Sequence, residues 1–423
     1  MGRRQPTEHS FGDPSRPAHK MGASHHTPSC EDARVVDSDV VDALLRTARA
    51  VLADRIDEAV RSDASFCEEL ARRVADFTLE GGKRMRPRLL WWGMRSCGAA
   101  ETAAALRLGV ALELVQSCAL IHDDVMDRSR LRRGKPAVHI GLAERAGLSP
   151  DSERGSAFGT SAAVLAGDLA LVWADDTVAE TVLSAIQRRR IGALWRAMRT
   201  EMVAGQYLDL RGQVSGGSSV AQALRTACLK SASYSVERPL AIGAALAGAD
   251  EPTTDALRSA GRCAGIAFQL RDDLLGVFGD PALTGKPSGD DIREGKSTYL
   301  LAVGRRRAEA AGDEGALAVL GRVTGNADLT EEDLADVRGV LEVTGARAHV
   351  ERKAERLHDH AVRRLGQAVD VDAHGGRQLF GLLSAVSGGR TGHSATAGET
   401  HGSGTGAAGA CPVLIATEGG HAG

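Results

Sequence analysis

The chain has 423 residues, of which 43% are apolar, so it is long enough to bury a large core in one or two domains. Its 52 lysines and arginines nearly balance its 55 aspartates and glutamates. This balance argues against a nucleic-acid-binding protein and against a broadly charged membrane surface. Any unusual charge must therefore be local.

Neither the cysteines nor the apolar stretches indicate export. Seven cysteines are scattered without a CxxC pair, which favours buried free thiols in a reducing, cytoplasmic setting over disulfides or zinc. No segment reaches about 18 uninterrupted apolar residues, and no apolar run follows the N-terminal arginines. The sequence therefore predicts neither a signal peptide nor a transmembrane segment.

Helical periodicity dominates the middle of the chain. Residues 1–33 are rich in Pro, His, Ser and charge, and residues 388–423 in Gly, Ala, Ser and Thr, so both are predicted to be disordered tails. Residues 34–387 carry apolar residues at helical spacing without a clear strand pattern, which predicts a single all-α domain. Breaks between its helices are predicted at 81–82, 87, 134–136, 148–159, 212–219, 250–252 and 280–289.

The first stretch that suggests a binding site is LEGGKRMRPR at 79–88. Two glycines let the backbone turn tightly before Lys83, Arg84, Arg86 and Arg88. Clustered cations at a helix start can hold a phosphate through charge-assisted hydrogen bonds. Taken alone, such a motif is more often a solvated basic surface.

The next element, at 102–122, is apolar nearly all round, which predicts a helix surrounded by other helices. It leads into Asp123, Asp124 and Asp127, and a continuing helix places the first and last of these one turn apart on one face. Carboxylates this close repel each other unless a cation lies among them, and Mg²⁺ prefers such ligands together with substrate phosphates. The alternative is a helix end that pairs with the arginines that follow it.

A second acidic cluster lies on another apolar helical run at 265–280. It contains Asp272 and Asp273, with Gln269 one turn earlier on the same side. Two such helices facing each other across a bundle would form a site for two or three divalent ions. Asp290–Asp291 lies in a Gly-rich loop, and whether this pair belongs to the site is left open.

With these residues, the chain resembles the trans-isoprenyl diphosphate synthases, which make geranylgeranyl, farnesyl and longer polyprenyl diphosphates. Five ordered motifs carry the resemblance over most of 40–385: GGKRMRP (81–87), LIHDDVMD with RLRRGKP (120–136), GQYLDL (205–210), LKSAS (229–233), and FQLRDDLLGVFGD with GKPSGDDIREGKST (268–298). The resemblance implies one large helical bundle of the isoprenoid synthase type with a central active-site cavity. It also implies a homodimer.

The resemblance implies roles for individual residues. Three Mg²⁺ ions per active site would be held by Asp123, Asp124, Asp127, Asp272 and Asp273. The allylic diphosphate would bridge these ions and contact Arg132, Lys230, Gln269, Lys286 and Lys296. Isopentenyl diphosphate would be held by Lys83, Arg86, Gln116 and Arg133.

Two positions depart from the family pattern. Gly276 stands where the second acidic motif has its third acid, which leaves that side of the site with fewer carboxylates. Gln116 stands where many relatives carry histidine.

The implied reaction starts with ionisation of an allylic diphosphate, which can be dimethylallyl, geranyl or farnesyl diphosphate. The double bond of isopentenyl diphosphate then attacks the carbocation, and a proton is lost to the departed diphosphate. Product length would depend on what the growing tail meets along the helix before Asp123, where Cys118 and Ala119 are small and Val115 comes next. Family members that stop at farnesyl usually carry an aromatic residue there. We therefore expect geranylgeranyl diphosphate (C20), with a longer-chain synthase as the alternative.

Two further interpretations compete with this one. A class I terpene cyclase shares the bundle and the DDxxD motif but needs no second diphosphate site, so GGKRMRP and RLRRGKP argue against it. A non-catalytic partner subunit would be free to lose acids and lysines, and this chain retains nearly all of them.

Overall fold

The computed structural model describes residues 30–215, 218–280, 288–326 and 328–388. The predicted disordered tails therefore lie almost entirely outside the described residues. At the N-terminal boundary the first helix begins at Cys30, a few residues before the predicted domain start. It does so because Ala33 and Val36 are buried against the core.

The first half of the chain forms long helices joined by short turns. A π-helical segment, π1, lies between α3 and α4, and a two-residue antiparallel hairpin follows α6. The elements are α1 Cys30–Ser38, α2 Val40–Ser62, α3 Ala64–Phe66, π1 Cys67–Ala71, α4 Arg72–Leu79, α5 Met85–Ser96, α6 Thr102–Met126, β1 Leu131–Arg132, β2 Lys135–Pro136, α7 Val138–Arg145, α8 Glu153–Glu180 and α9 Ala185–Val214.

The second half continues in the same way, with a ten-residue π-helical segment, π2. Its elements are α10 Val220–Ala227, π2 Cys228–Glu237, α11 Arg238–Leu246, α12 Glu251–Phe278, α13 Asp290–Arg293, α14 Tyr299–Ala311, α15 Glu314–Val323, α16 Glu331–Val343, α17 Ala346–Ala368 and α18 His374–Ser387. The prediction of an all-α fold is confirmed.

Two helices organise the core, and both carry acids near their C-terminal ends. Helix α6 packs against α8, α5 and α2, and every residue from Leu108 to Val115 is buried. Helix α12 packs against α17, π2 and α11. Apolar packing thus fixes the directions in which the two acidic helix ends point.

The predicted break at 148–159 is wrong in its second half, because α8 already begins at Glu153. A Cβ on Gly155 would collide with the carbonyl of Ser149, and one on Gly159 would collide with the carbonyl of His139. These glycines therefore permit close backbone packing within a helix rather than a turn.

Helices α6 and α8 are long and apolar enough to cross a membrane by length and composition alone. In the structure, 67% of the apolar window of α6 and 44% of that of α8 are buried inside the protein. A core helix of a soluble protein meets the same criterion, so the absence of a transmembrane segment stays a prediction.

Candidate active site

The first acidic cluster lies at the end of α6. The helix ends at Met126, and the backbone N–H of Asp127 still donates to the carbonyl of Asp123 at 2.8 Å. Asp123 and Asp127 therefore share one face, as predicted from their spacing. The side chains of Asp124 and Asp127 are almost fully buried, with 0% and 2% exposed.

Each carboxylate of this cluster contacts a cation from a different element. The Arg132 guanidinium, presented by the hairpin, donates to Asp124 through Nε at 2.8 Å. Lys230 Nζ lies 3.2 Å from Asp123 Oδ1, and Lys296 Nζ lies 2.9 Å from Asp127 Oδ2. Burial alone would raise the pKa of Asp123, but Lys230, Lys296 and Arg132 outweigh it and hold that pKa below its ordinary value.

Lys230 has a second acidic partner that the sequence did not identify as a site residue. Its Nζ lies 2.6 Å from Asp209 Oδ2 on α9. Gly205, one turn earlier, lets π2 approach α9, since a Cβ there would collide with the backbone of Lys230. The motif GQYLDL contains both residues, so the motif was a signal for Asp209 although its spacing gave no role to that residue.

In the second cluster the two aspartates have different surroundings. Asp272 is exposed, whereas Asp273 is buried, accepts from Gln269 Nε2 at 2.9 Å, and accepts from the backbone N–H of Tyr299 at 3.2 Å. Burial, together with the charges of Asp291 and Asp272, raises the pKa of Asp273 to about 8. The hydrogen bond from Gln269 fixes the side chain of Asp273, and the bond from the Tyr299 N–H attaches that side chain to the start of α14.

Lys296 links the first acidic cluster to the segment around Asp291. Besides Asp127, its ammonium contacts Glu294 at 2.5 Å and Asp291 at 3.9 Å. The carboxylate of Asp291 lies beside Gly276 of α12, 3.4 Å from the position of a Cβ at that residue. Lys296 and Asp291 therefore connect the end of α6 to α12, and of the pair left open by the sequence it is Asp291 that lies at this connection.

The glycine-rich turn before α5 is shaped by left-handed backbone conformations. Gly81 and Gly82 have φ of 67° and 89°, and Arg84 has φ of 49°. Arg84 is buried and donates to the carbonyls of Thr78 and Leu79 at 2.8 and 2.7 Å. Arg84 is therefore a structural member of the motif.

Arg84 also forms a buried ion pair with Glu113 of α6, which ties the turn to the acidic helix. Arg133 lies against the same turn, since its Nη2 is 3.2 Å from a Cβ position at Gly82 and it donates to the carbonyl of Glu80. Lys83 is exposed beside it. Two of the predicted isopentenyl diphosphate ligands thus meet at this turn.

Arg86 is held from the opposite side by π2. Its guanidinium stacks on the ring of Tyr234 at 4.1 Å from the centroid and donates to Ser235 Oγ at 2.6 Å. Gln116 lies on α6 with a buried Oε1 that has no hydrogen-bond partner among the described residues.

The predicted chain-length residues lie along α6 before the aspartates. Val115 is fully buried, Cys118 is 3% exposed, and Ala119 is partly exposed. Cys118 Sγ lies 3.8 Å from His122 Nδ1 on the side that faces α8. Ala119 is therefore the more open of the two small positions.

The acidic clusters fit a hard divalent cation in their chemistry. Asp124 Oδ2 and Asp127 Oδ1 are buried and have no hydrogen-bond partner among the described residues, and carboxylate oxygens are what Mg²⁺ prefers. Within the described ranges no three acidic, His or Cys side chains converge on one metal position, and lysine or arginine groups lie between them. Lys286, a predicted phosphate ligand, falls outside the described residues.

Comparisons with known proteins agree with this geometry. The polyprenyl synthetase family model matches residues 68–337. Geranylfarnesyl diphosphate synthase of Aeropyrum pernix is 31% identical over 72% of this chain and 88% of its own length. Geranylgeranyl diphosphate synthase of Mycobacterium tuberculosis is 30% identical over 79% of this chain and 91% of its own.

Comparison with solved structures indicates the same kind of protein. Geranylgeranyl pyrophosphate synthase from Corynebacterium glutamicum, complexed with isoprenyl diphosphate and magnesium, is 38% identical with a TM-score of 0.74. The match covers 83% of this chain and 99% of that one. The chain belongs to the polyprenyl synthetase family. It is a trans-isoprenyl diphosphate synthase, as the sequence motifs predicted.

Proposed function

We propose that this protein condenses an allylic diphosphate with isopentenyl diphosphate, head to tail, and that its main product is geranylgeranyl diphosphate. The observation that supports this most directly is the bridge made by Lys296 between Asp127 and Asp291. It links the acidic end of α6 to the α13 segment beside α12, with cationic side chains among the carboxylates. Such an arrangement suits a diphosphate bound through both metal ions and cations.

On the acidic side, Asp123, Asp124, Asp127, Asp272 and Asp273 would hold Mg²⁺, three ions per site. When bound, the ions make diphosphate a better leaving group by stabilising the charge that develops on it. The buried oxygens of Asp124 and Asp127 that have no hydrogen-bond partner within the described part of the chain support this assignment.

Cationic side chains complete the allylic site. Lys230, Lys296 and Arg132 contact the carboxylates in this structure and would also donate to the allylic diphosphate, together with Lys286. Gln269, which donates to Asp273 from one turn earlier, would contact the same diphosphate. In the reaction the C1–O bond breaks and its electron pair leaves with the diphosphate.

Isopentenyl diphosphate would bind at the glycine-rich turn through Lys83, Arg86 and Arg133, with Gln116 beside them. The stacking of Arg86 on Tyr234 and the position of Arg133 against Gly82 support this. The isopentenyl double bond then forms the new carbon–carbon bond with the allylic cation. The proton lost afterwards goes to the departed diphosphate, so no side-chain base is assigned.

Product length would be set by Cys118, Ala119 and Val115. The small side chains at 118 and 119 leave the tail at least one further helical turn, about 5.4 Å. A longer-chain synthase is the alternative.

The test is to supply isopentenyl diphosphate and Mg²⁺ with dimethylallyl, geranyl or farnesyl diphosphate and to identify the dephosphorylated alcohols. Geranylgeraniol as the main alcohol is expected. Longer alcohols would support the alternative. Failure of the purified chain to consume isopentenyl diphosphate would contradict the proposal, and hydrocarbon from farnesyl diphosphate alone would indicate a cyclase.

A homodimer is part of the proposal. Phe158, Leu165 and Val172 recur every seventh residue on α8, so they share one face, and they are 42%, 60% and 54% exposed. An apolar face of this kind suits contact with a second copy. Leu165→Glu is expected to shift the protein toward monomer in sedimentation, and an unchanged mass would contradict this interface.

A cytoplasmic location and a catalytic domain over 34–387 complete the proposal. The five cysteines with described side chains are all free thiols, which suits a reducing compartment.

A further inference from the structure

One flank of α17 carries a stripe of basic side chains. At 3.6 residues per turn, residues that follow a first one by three, four, seven, eleven and fourteen positions fall within an arc of about 100°. On α17 the residues at these positions are His349, Arg352, Lys353, Arg356, His360 and Arg363. They extend along about 21 Å of the helix, at 1.5 Å per residue.

The acids of α17 lie outside this arc. They are Glu351, Glu355 and Asp359. The exposed side chains of Arg352, Arg356 and Arg363 form no ion pair within the described ranges, whereas Arg347, outside the arc, pairs with Glu351 at 3.0 Å. The charge of the stripe is therefore available to a partner outside the protein.

Helix α14 adds positive charge beside the stripe. Arg307 Nη2 lies 3.4 Å from His349 Nδ1, and the Lys353 ammonium lies 5.4 Å from the centre of the Tyr299 ring. Arg306, next to Arg307, is exposed. Burial and the charges of the surrounding lysine and arginines lower the pKa of His349, as a positive local potential requires. Arg306 and the six residues of the stripe are called the basic face below.

An exposed apolar side chain adjoins the basic face. Arg307 donates to the carbonyl of Thr344 at 2.9 Å. The preceding residue, Val343, ends α16 and is 83% exposed. Cationic side chains beside an exposed aliphatic one suit contact with the headgroup region of an anionic bilayer.

Two features favour a lipid surface over a nucleic acid or an acidic protein. The whole chain has a formal net charge of -3, which disfavours contact between a nucleic acid and the surface around the basic face. The proposed product, geranylgeranyl diphosphate, has an anionic head and an apolar tail, so it partitions into bilayers.

We propose that the basic face docks the protein on a membrane surface that contains anionic lipids. The choice of a lipid partner rests on the proposed function, because a docked enzyme releases an amphiphilic product next to the bilayer that takes it up. The contact is peripheral, with guanidinium groups donating to lipid phosphates. Binding is therefore reversible and is weakened by salt.

The test measures cosedimentation of the full-length protein with two kinds of vesicle, one of phosphatidylcholine alone and one that also contains phosphatidylglycerol. The double variant Arg352→Gln with Arg356→Gln removes two charges from the basic face. Arg46→Gln with Arg49→Gln removes the same charge from two exposed positions of α2 and is the matched control. The unfolding temperature and the turnover of soluble substrates are recorded for each variant, and both are expected to stay near wild type.

We expect the wild-type protein to bind the anionic vesicles at least about 10-fold more tightly than the neutral ones. The variant of the basic face should lose about 10-fold or more of this binding, because each arginine near an anionic surface contributes several-fold. The α2 variant should stay within about twofold of wild type.

Equal binding to both kinds of vesicle, binding to neither, or an equal loss in the two variants would overturn the inference. Binding to soluble polyglutamate without binding to anionic vesicles would also overturn it, and would make the basic face a docking surface for an acidic protein. The vesicle assay involves no turnover. Its failure is therefore distinct from a failure to consume isopentenyl diphosphate, which contradicts the proposed function.

Discussion

The ammonium group of Lys296 lies 2.9 Å from a carboxylate oxygen of Asp127, although the two residues belong to opposite halves of the chain. Asp127 caps α6, and Lys296 follows the short helix α13. Burial alone would lower the pKa of Lys296, but the charges of Asp127, Asp291 and Glu294 outweigh it and raise that pKa, so the lysine stays protonated. Lys296 is therefore a cation held between the first acidic cluster and the acids of the α13 segment.

Removing this cation should impair the reaction more than it impairs folding. Lys296→Gln is expected to lower kcat by about 100-fold or more, because one charge-assisted contact to the developing diphosphate charge is lost. Steady-state assays with saturating substrates measure this. Arg46→Gln, from an exposed pair with Asp42 on α2, is the control and should retain near wild-type kcat. Equal activity of both variants would contradict a role for Lys296 in catalysis.

Asp209 is predicted to act as a positioning residue through Lys230. Without its contact at 2.6 Å, the lysine is left with Asp123, one of the proposed Mg²⁺ ligands. Asp209→Asn should therefore raise the Mg²⁺ concentration required for half-maximal activity about 10-fold, a typical size for a lost partner of a metal-site group.

The control for Asp209 is Asp176→Asn on α8. A purely structural role for Asp209 would lower the unfolding temperature without moving the Mg²⁺ requirement. That result would contradict the assignment.

Product length provides a test of the residues on α6 that are proposed to limit the growing tail. Ala119 is partly exposed, so Ala119→Phe can place a ring toward the tail at little structural cost, whereas Cys118, at 3% exposure, would be overpacked by tyrosine. We expect Ala119→Phe to shift the main product from geranylgeranyl to farnesyl diphosphate. Chromatography of the dephosphorylated products measures the shift. An unchanged product length would contradict the role of Ala119 in setting that length.

The sequence predicted what depends on local spacing. Apolar periodicity identified the all-α fold, and the i and i+4 positions of Asp123 and Asp127 placed them on one face of α6. It could not predict Asp209 as a partner of Lys230, or Tyr299 as a donor to Asp273, because these contacts join helices distant in the chain.

Glycine was the least reliable predictor of turns. Gly155 and Gly159 predicted a turn but lie inside α8, where they allow close packing. Gly81 and Gly82 predicted a turn correctly, since both have positive φ. The two cases differ in backbone conformation and in the partner that approaches the backbone, and the sequence specifies neither.

Replacing Arg84 tests whether its buried contacts hold the glycine-rich turn in place. Arg84→Lys keeps the charge but cannot donate at once to Thr78, Leu79 and Glu113. We expect the KM for isopentenyl diphosphate to rise about 10-fold with the allylic KM unchanged, and the free energy of unfolding to fall by about 1–3 kcal/mol. A rise in both KM values would show a general distortion of the site instead.

Glu237 should stabilise the fold in a pH-dependent way. It is 1% exposed and contacts Arg262 at 2.8 Å and Arg258 at 3.2 Å. Burial alone would raise its pKa, but hydrogen bonds and charges from Arg262, Arg238 and Arg258 lower it below the ordinary value of 4.5. A lowered pKa stabilises the folded state fully above the ordinary pKa, and this stability is lost as pH falls through the lowered one.

Glu237→Gln leaves three arginines without their buried partner, so it should cost about 3–5 kcal/mol in the free energy of unfolding at neutral pH. Below the ordinary pKa the difference from wild type should shrink, because the unfolded wild-type chain then takes up a proton at Glu237, while the folded carboxylate stays ionised until pH falls through its lowered pKa. Urea denaturation at several pH values measures both effects. Glu351→Gln, from an exposed pair with Arg347, is the control and should change stability by less than about 1 kcal/mol. A pH-independent difference between Glu237→Gln and wild type would mean that the loss comes from packing rather than from the charge of Glu237.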